Sequence, residues 1–247
     1  VLLFANGPFM AGNPANNSNH RYNFWNDTDP SRCGNLFDHD IHNKDQLLDK
    51  FVDIVLDAPS IFTVSIGNDV KKFDGSLKQW LQALEKSGLL DEHKINIALH
   101  QIFTNVRFKK HVLEIRGTDR PPKGFEMAPA AFWVGLLTVD SIRDQLMKIF
   151  SRWSQDERKI ANANACILNL SNIGPAGKSM MEWINLFSVL ATDGLKIRSE
   201  SLHIDNEQDL FTPYFKMIKE RGIPAIFMQD DFHNNQKPLI EFLRAKQ

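Results

Sequence analysis

The 247-residue sequence has little that would assign it to a disulfide-rich, nucleic-acid-binding or membrane class. Its two cysteines, Cys33 and Cys166, are far apart and match no zinc or redox spacing, so we expect a reducing, cytoplasmic compartment. Lys and Arg number 29 against 30 for Asp and Glu, and the resulting charge of −1 offers no global field for nucleic acid or an anionic membrane. No apolar run approaches the roughly 20 residues of a membrane helix. The hydrophobic content of 43% is enough for one large domain or for a domain with a smaller appendage.

What the sequence does contain is a carboxylate and a guanidinium two positions apart in an apolar run that suits a β-strand. Alternate side chains of a strand share a face, so Glu114 and Arg116 are expected to point the same way, about 7 Å apart. A carboxylate can hold a divalent metal, and an arginine can grip a phosphate bound to that metal. The alternative interpretation of the same two residues is an ordinary ion pair.

Two blocks of sequence carry a larger pattern. The first block contains His100, Phe103, Val106-Arg-x-Lys109, Leu113-Glu-x-Arg-Gly-x-Asp119 and Trp133-Val-Gly-Leu-Leu137. The second contains Leu3-Phe-Ala-Asn6, Pro8-Phe9, Gly12, Arg21, Trp25, Asp27-Thr-Asp29, Arg32 and Gly34. Both blocks resemble glutamate–cysteine ligases of the plant and proteobacterial type. The chain departs from that family at Gly7, where the family has Ser, and at Tyr22-Asn23, where it has Ser-His.

The resemblance implies roles for four residues. Glu114 is expected to be a magnesium ligand. Arg116 is expected to be a catalytic residue that contacts the phosphates of ATP. Arg21 and Trp25 are expected to bind the amino-acid substrate, the first by pairing with a carboxylate and the second by walling an apolar slot. Their alternative interpretations are a solvated loop arginine and a buried core tryptophan.

The resemblance also implies a reaction and a fold. Family members use ATP to phosphorylate the side-chain carboxylate of glutamate, and the amine of cysteine attacks the acyl phosphate in the first step of glutathione synthesis. Glutamate, cysteine, ATP and magnesium are therefore the expected ligands. The expected fold class is α+β, with an antiparallel, glutamine-synthetase-like sheet floor and helices on its outer face. Two alternatives remain open: a related ligase with another acceptor amine, and a non-catalytic half that requires a partner chain.

The organisation of the chain is expected to be that of an incomplete ligase. The sequence opens at Val1 inside an apolar run that is typical of a strand, so we expect the C-terminal half of a longer enzyme, truncated at its N-terminus. Residues 1–153 are expected to form half of the catalytic sheet with its helices, and residues 154–247 a helical cover of the same domain. On this interpretation the fragment is inactive, and an exposed sheet edge permits self-association.

Local patterns predict the secondary structure. Apolar spacing predicts helices over residues 45–56, 77–86, 179–192, 207–221 and 237–246, and one helix, or two, over 129–153. We expect Ser76 and Ser179 to cap helices, and Gly194 and Gly222 to end them. A break near 140 would make Ser141 a further cap. Residues 106–116 are expected to form one strand and residues 7–43 a long loop.

Two motifs invite interpretations that the sequence does not favour. Residues 172–179 end in Gly-Lys-Ser, but Asn172 stands where a phosphate-binding loop needs glycine, so a helix capped by Ser179 is the better account. Asp27 and Asp29 stand directly before Pro30. Such turn chemistry favours a structural role for both carboxylates over metal binding.

Overall fold

The computed structural model describes residues 1–34, 45–64, 69–109, 111–235 and 237–246. The chain forms two compact units, of which the first comprises residues 1–23 and 118–247 and the second comprises residues 24–117. Helices dominate the described residues and are accompanied by two-stranded sheets, so the fold class is α+β as expected. The expected boundary at residue 153 lies inside the first unit and stays a prediction about the organisation of the ligase.

The helices are short apart from α8. Their bounds are α1 His20–Thr28, α2 Leu47–Asp57, α3 Leu77–Lys86, α4 Glu92–His100, α5 Ala128–Leu137, α6 Asp140–Phe150, α7 Gln155–Ala165, α8 Met180–Leu202, α9 Thr212–Arg221, α10 Pro224–Asn235 and α11 Leu239–Lys246. Across the described parts of the chain, every helix is too short or too polar to cross a lipid bilayer.

The strands pair two by two. Their bounds are β1 Phe9–Met10, β2 Asn13–Pro14, β3 Cys33–Gly34, β4 Thr63–Val64, β5 Val70–Lys71, β6 Phe103–Thr104, β7 Val106–Lys109 and β8 Val112–Ile115. The pairs β1–β2, β4–β5 and β7–β8 are antiparallel, whereas β3–β6 is parallel. The described residues thus contain separate small sheets where one antiparallel floor was expected.

The first unit is built around the crossing of α5 and α8. Its core contains Leu136, Leu195 and Phe211, which are almost fully buried. The backbones of the two helices approach closely at two glycines: a Cβ on Gly194 would lie 1.9 Å from the carbonyl oxygen of Gly135. The expectation that Gly194 ends the helix is therefore wrong, because this glycine permits close packing and α8 continues to Leu202.

The segment after Val1 is not a strand. Leu2–Phe4 forms a 3₁₀ turn, and Leu2, Leu3 and Phe4 are all buried in the core of the first unit. Successive residues of a half-buried strand would point alternately into the core and into solvent. Leu2, Leu3 and Phe4 do not alternate, because all three point into the core. The hydroxyl of Tyr214 donates a hydrogen bond of 2.7 Å to the carbonyl oxygen of Leu3 and fixes the turn.

The second unit packs helices α2, α3 and α4 around a smaller core. The core is formed by Phe51, Val55, Ala58, Leu77, Trp80, Ala98 and Ile102. The predicted helix over 77–86 is confirmed, and so is its cap, because Ser76 accepts a hydrogen bond from the Gln79 backbone in a capping box. The predicted cap at Ser179 is confirmed by the same arrangement with Glu182.

The strand expected over 106–116 is a hairpin. β7 and β8 pair in a register that places Val106 opposite Ile115 and Arg107 opposite Glu114. His111 lies in the turn, and residue 110 is outside the described ranges. The expectation of one strand was wrong because the residues on both sides of the turn suit a strand equally well, so their apolar content does not show where the chain reverses.

Two further expectations are corrected. The loop expected over 7–43 contains α1, which has no apolar repeat and was therefore not visible as a helix; residues 35–43 lie outside the described ranges. Of the two alternatives for 129–153, two helices are present, with a break at Thr138 and Val139. Val139 rather than Ser141 is the residue before α6. Gly222 does end α9, with a positive φ of 81°.

Candidate functional site

Glu114 lies between two arginine side chains on the β7–β8 hairpin of the second unit. Arg107, its direct cross-strand partner, donates a hydrogen bond from Nε to the Oε2 atom of Glu114. Arg116 approaches the Oε1 atom with its Nη1 at 3.7 Å. The expectation that Glu114 and Arg116 point the same way is confirmed, and each carboxylate oxygen has a cationic neighbour.

These contacts set the charge state of Glu114. Partial burial alone would raise the pKa of its carboxyl group, because desolvation disfavours the charged form. The hydrogen bond and the positive charge of Arg107, together with the charge of Arg116, outweigh this effect and hold the pKa below its ordinary value of 4.5. Glu114 is therefore ionised at neutral pH, as an oxygen ligand for a metal must be.

Arg116 is held against two aromatic rings. Its guanidinium carbon lies 4.6 Å from the ring centroid of Trp25 and 5.4 Å from that of Phe103. The backbone N–H of Arg116 donates a 2.9 Å hydrogen bond to Asn105. The rings of Trp25 and Phe103 are nearly perpendicular to each other, and contact with both, together with the paired backbone, holds the guanidinium in place. A planar guanidinium held in this way suits phosphate recognition.

Trp25 is half-buried and is more than a core residue. One face carries Arg116, and its ring meets Phe103 edge-on at 6.4 Å. Its indole Nε1 is shielded from water and, among the described residues, has no hydrogen-bond acceptor. A buried donor without an acceptor is unusual in folded proteins, and it fits a position next to a ligand oxygen. We call Arg107, Glu114, Arg116, Trp25 and Phe103 the guanidinium cluster.

Arg107 and Phe103 are the two residues of this cluster to which the sequence assigned no role. Arg107 is 8% exposed, and its Nη1 also donates to the carbonyl oxygen of Ile102 at 3.1 Å. The register of the hairpin makes Arg107 the partner of Glu114. A sequence prediction of two strands that meet between Lys109 and Val112 would have found this pair.

Arg21 lies in the first unit, where Asp119 holds it. Its Nε atom is 3.1 Å from Oδ1 of Asp119, and the other carboxylate oxygen accepts a 2.8 Å hydrogen bond from the backbone of Asn6. The Nδ2 atom of Asn6 donates to the carbonyl oxygen of Arg120 at 2.8 Å, which fixes the orientation of the amide. Its Oδ1 atom is buried and, among the described residues, accepts no hydrogen bond.

These residues line an open cleft of about 960 Å³ in the first unit, which we call the cationic cleft. Its wall is formed by Asn6, Gly7, Arg21, Thr118, Asp119, Arg120, Pro121, Pro122, Lys123, Phe125, Met217, Arg221, Phe227 and Met228. Four of these side chains are cationic and one is anionic, in a chain whose formal charge is −1. Such a local excess of positive charge favours an anionic ligand.

Tyr22 and Asn23, at which the chain departs from the family, both contact other residues of the first unit. Tyr22 is 4% exposed and belongs to the packed interior. The amide of Asn23 donates to Ser18 at 2.9 Å and to the carbonyl oxygen of Cys166 at 3.2 Å. Both residues thus stabilise the first unit, which gives these departures a role other than the choice of an acceptor amine.

Asp29 forms a turn, as expected. Its carboxylate accepts hydrogen bonds from the backbone and hydroxyl of Ser31 and from Nε of Arg32 at 2.6 Å. The hydrogen bonds from Ser31 and Arg32 lower the pKa of the Asp29 carboxyl group. Arg32 is 6% exposed and joins this turn to the carbonyl oxygen of Pro59.

The described residues contain no group of three or more His, Cys, Asp or Glu side chains arranged for a metal. Magnesium at nucleotide sites, however, commonly uses one or two protein carboxylates and fills its other positions with phosphate oxygens and water. Each oxygen of Glu114 retains a lone pair beyond the one directed at an arginine. Glu114 therefore fits the role of one ligand to a magnesium ion carried by ATP.

The structure brings three of the four predicted site residues together. Trp25, Glu114 and Arg116 belong to the guanidinium cluster of the second unit. Arg21 lines the cationic cleft of the first unit. Their roles toward substrate and metal stay predictions.

Comparison with known proteins identifies the family of this chain. A family model described as glutamate-cysteine ligase family 2 matches residues 2–221. The chain is similar to the chloroplastic glutamate–cysteine ligase of Brassica juncea, with 28% identity over 213 residues that cover 82% of this chain and 38% of the relative. The Arabidopsis thaliana enzyme has 28% identity over 213 residues, covering 82% and 37%. The Solanum lycopersicum enzyme has 31% identity over 167 residues, covering 64% and 30%. The chain thus matches less than two fifths of the length of these relatives.

Proposed function

Because the chain belongs to glutamate-cysteine ligase family 2, we propose that it takes part in the ATP-dependent joining of glutamate to cysteine. ATP phosphorylates the side-chain carboxylate of glutamate, and the amine of cysteine attacks the acyl phosphate and displaces phosphate. The product, γ-glutamylcysteine, is the first intermediate of glutathione synthesis. The observation that carries the proposal is the contact of Glu114 with Arg116, since these two residues stand at the centre of the family pattern.

In this proposal the guanidinium cluster handles the phosphate end of the reaction. Arg116, which Trp25 and Phe103 hold in place, contacts the transferred phosphoryl group and stabilises the charge that develops on its oxygens. Magnesium, when bound, would supply positive charge that offsets the charge of the ATP phosphates. Glu114 would hold that ion, and Arg107 keeps the carboxylate ionised and in place.

The remaining assigned residues bind the amino acid. Arg21 pairs with a substrate carboxylate, and its contact with Asp119 sets the direction of the guanidinium. Trp25 offers its shielded indole N–H to an oxygen of the bound substrate or nucleotide. Holding reactants in one geometry supplies much of the rate in ligases of this kind, so small displacements of these groups are costly.

The broader organisation is also proposed. The β7–β8 hairpin contributes to a glutamine-synthetase-like antiparallel sheet, which a second copy or another chain extends at the exposed edge of the hairpin. Taken by itself, the 247-residue chain does not complete the reaction. Cys33 and Cys166 are free thiols, which is in keeping with a cytoplasmic location.

The test is formation of γ-glutamylcysteine by the protein that carries this chain. The purified protein is supplied with glutamate, cysteine, ATP and magnesium, and both ADP and dipeptide are measured. Matched reactions replace cysteine with other amino acids of similar size. Dipeptide that requires all four components supports the proposal. Equal or better turnover with another amine would assign the chain to a related ligase, and absence of any turnover would remove the proposal.

A further inference from the structure

Arg221 is a second guanidinium on the wall of the cationic cleft, and neither sequence block includes it. It is the last residue of α9, and two residues of α10 hold it. Its Nη2 atom donates to Asp231 at 2.8 Å, and its guanidinium carbon lies 4.1 Å from the ring centroid of Phe227. Because Phe227 and Asp231 are four residues apart on α10, they lie on one face of that helix and act together on Arg221.

The side chain of Arg221 is held in place, as that of a ligand-binding residue would be, and is unlike a surface charge that moves freely in solvent. A surface lysine or arginine ordinarily moves among many rotamers. Arg221 is 45% exposed, so part of it remains accessible, yet its plane is fixed by an aromatic ring and one side is fixed by a carboxylate. Planar, pre-arranged guanidinium groups recognise carboxylates with two parallel hydrogen bonds.

The other groups of the cleft narrow the chemistry of the ligand. Arg120 and Lys123 add positive charge, whereas Asp119 and the Oδ1 atom of Asn6 are acceptors. A nucleotide phosphate has no N–H group to offer such acceptors, but an amino acid has both a carboxylate and an ammonium group. Phe125, Met217 and Met228 give the cleft an apolar wall for a short side chain.

We infer that Arg221 binds the α-carboxylate of one of the amino-acid substrates in the cationic cleft. This inference rests on the proposed function for the identity of the amino acids, and it adds a specificity-determining residue to the first unit. Glutamate and cysteine share the zwitterionic head group that the cleft would recognise. The experiment therefore has one arm for each.

The experiment measures direct binding, so that it does not depend on turnover. Glutamate and cysteine are titrated separately, by calorimetry, into the wild-type chain and into Arg221→Gln. Removing one charged, two-pronged contact is expected to weaken the affinity for one of the two amino acids by about 10- to 100-fold. Affinity for ATP is expected to stay within about twofold, which a general loss of structure would not allow.

Two variants make the result specific. Lys219→Gln removes a charge from the same helix at a side chain that rests on Phe215 and does not line the cleft, so its affinities should equal those of wild type. Arg221→Lys keeps the charge but loses the fork and should give an intermediate loss. Wild-type affinities in Arg221→Gln, or a wild-type chain that binds neither amino acid, would overturn the inference. Failure of dipeptide formation by the protein that carries this chain, with normal amino-acid binding, would instead count only against the proposed function.

Discussion

Glu114 meets two demands with one carboxylate. It neutralises Arg107 across the hairpin, and in the proposed reaction it also holds a metal. These demands are compatible because a carboxylate accepts hydrogen bonds at up to about four lone-pair positions. The same pair of roles explains why the ordinary ion pair and the metal ligand were both reasonable interpretations of the sequence. The structure supplies the ion pair, and only a functional measurement separates the second role from the first.

In the protein that carries this chain, Glu114→Gln is expected to lower magnesium-dependent turnover by about 100-fold while the fold persists, because glutamine keeps the shape but not the charge. Activity is measured over a magnesium titration, and folding by circular dichroism. Wild-type turnover at ordinary magnesium concentrations would contradict the metal assignment.

The pH dependence of the free energy of unfolding shows separately how much the charge of Glu114 stabilises the fold. The pKa of Glu114 is lower in the folded state, so its stabilising effect is fully present above the ordinary value of 4.5 and is lost as the pH falls through the folded pKa. The difference in free energy of unfolding between wild type and Glu114→Gln should therefore shrink as the pH falls below 4.5 and through the lower folded pKa.

Arg116→Lys tests whether planarity or charge is needed. Lysine keeps the positive charge but cannot make the planar contact with Trp25 or bind phosphate in two-pronged fashion, so we expect turnover of the protein that carries this chain to fall by about 100-fold. The measurement is ATP-dependent dipeptide formation. Lys78→Gln, at an exposed position on α3 of the second unit, is the control for a general loss of positive charge. If Arg116→Lys works as wild type does, Arg116 serves only as an ion-pair partner of Glu114.

At the level of helices and strands, the crossing of α5 and α8 shows how neighbouring sequence can predict the wrong role for a residue. A glycine after an apolar helical repeat usually marks a helix end, and Gly194 was expected to do so. Its actual role depends on Gly135, which is 59 residues away in sequence and faces it across the crossing. A prediction based on the residues near Gly194 cannot take Gly135 into account. By contrast, Ser76 and Ser179 act through residues three positions away, so their caps were predictable.

Gly194→Ala is expected to destabilise the first unit by about 1–3 kcal/mol or more, because the added methyl group overlaps the backbone of α5 and neither helix can yield freely. Chemical denaturation measures the change. Lys196→Ala, an exposed position on the same helix, should change the free energy of unfolding by less than about 0.5 kcal/mol. Equal stability of Gly194→Ala and wild type would mean that the two helices can separate at little cost.

For the molecule as a whole, the resemblance to the ligase family predicted the α+β class. Periodicity and residues close in sequence predicted several helices and the shared direction of Glu114 and Arg116. The sequence did not predict the hairpin turn, because the residues on both sides of it suit a strand, or α1, because that helix has no apolar repeat. It did not predict Arg221 in the cationic cleft, because that position depends on residues far along the chain. Arg221 reaches the cleft only through the packing of α9 and α10, and its own segment has no pattern that indicates a ligand.

The β7–β8 hairpin also determines what the chain is expected to do in isolation. Two-stranded sheets are marginally stable in water, and Val112 and Leu113 on β8 are 61% and 54% exposed. Within the described ranges, β8 pairs with β7 alone. An apolar strand with an unpaired edge favours addition of another strand, so we expect the wild-type chain to self-associate at micromolar concentrations. Its mass measured by analytical ultracentrifugation should then rise with concentration.

Leu113→Lys should shift this equilibrium toward the monomer, because a charge on the outer strand opposes pairing with a second copy. Val189→Lys, at a 52% exposed position on α8, is the matched control and should leave the mass unchanged. The same samples are assayed with glutamate, cysteine, ATP and magnesium. We expect no dipeptide, because Glu114 is the one carboxylate assigned to magnesium in the described residues. A magnesium–nucleotide complex held by a single protein carboxylate is poorly positioned for reaction. Robust turnover by a monomer would show that these 247 residues hold a complete active site, and that the hairpin edge needs no partner.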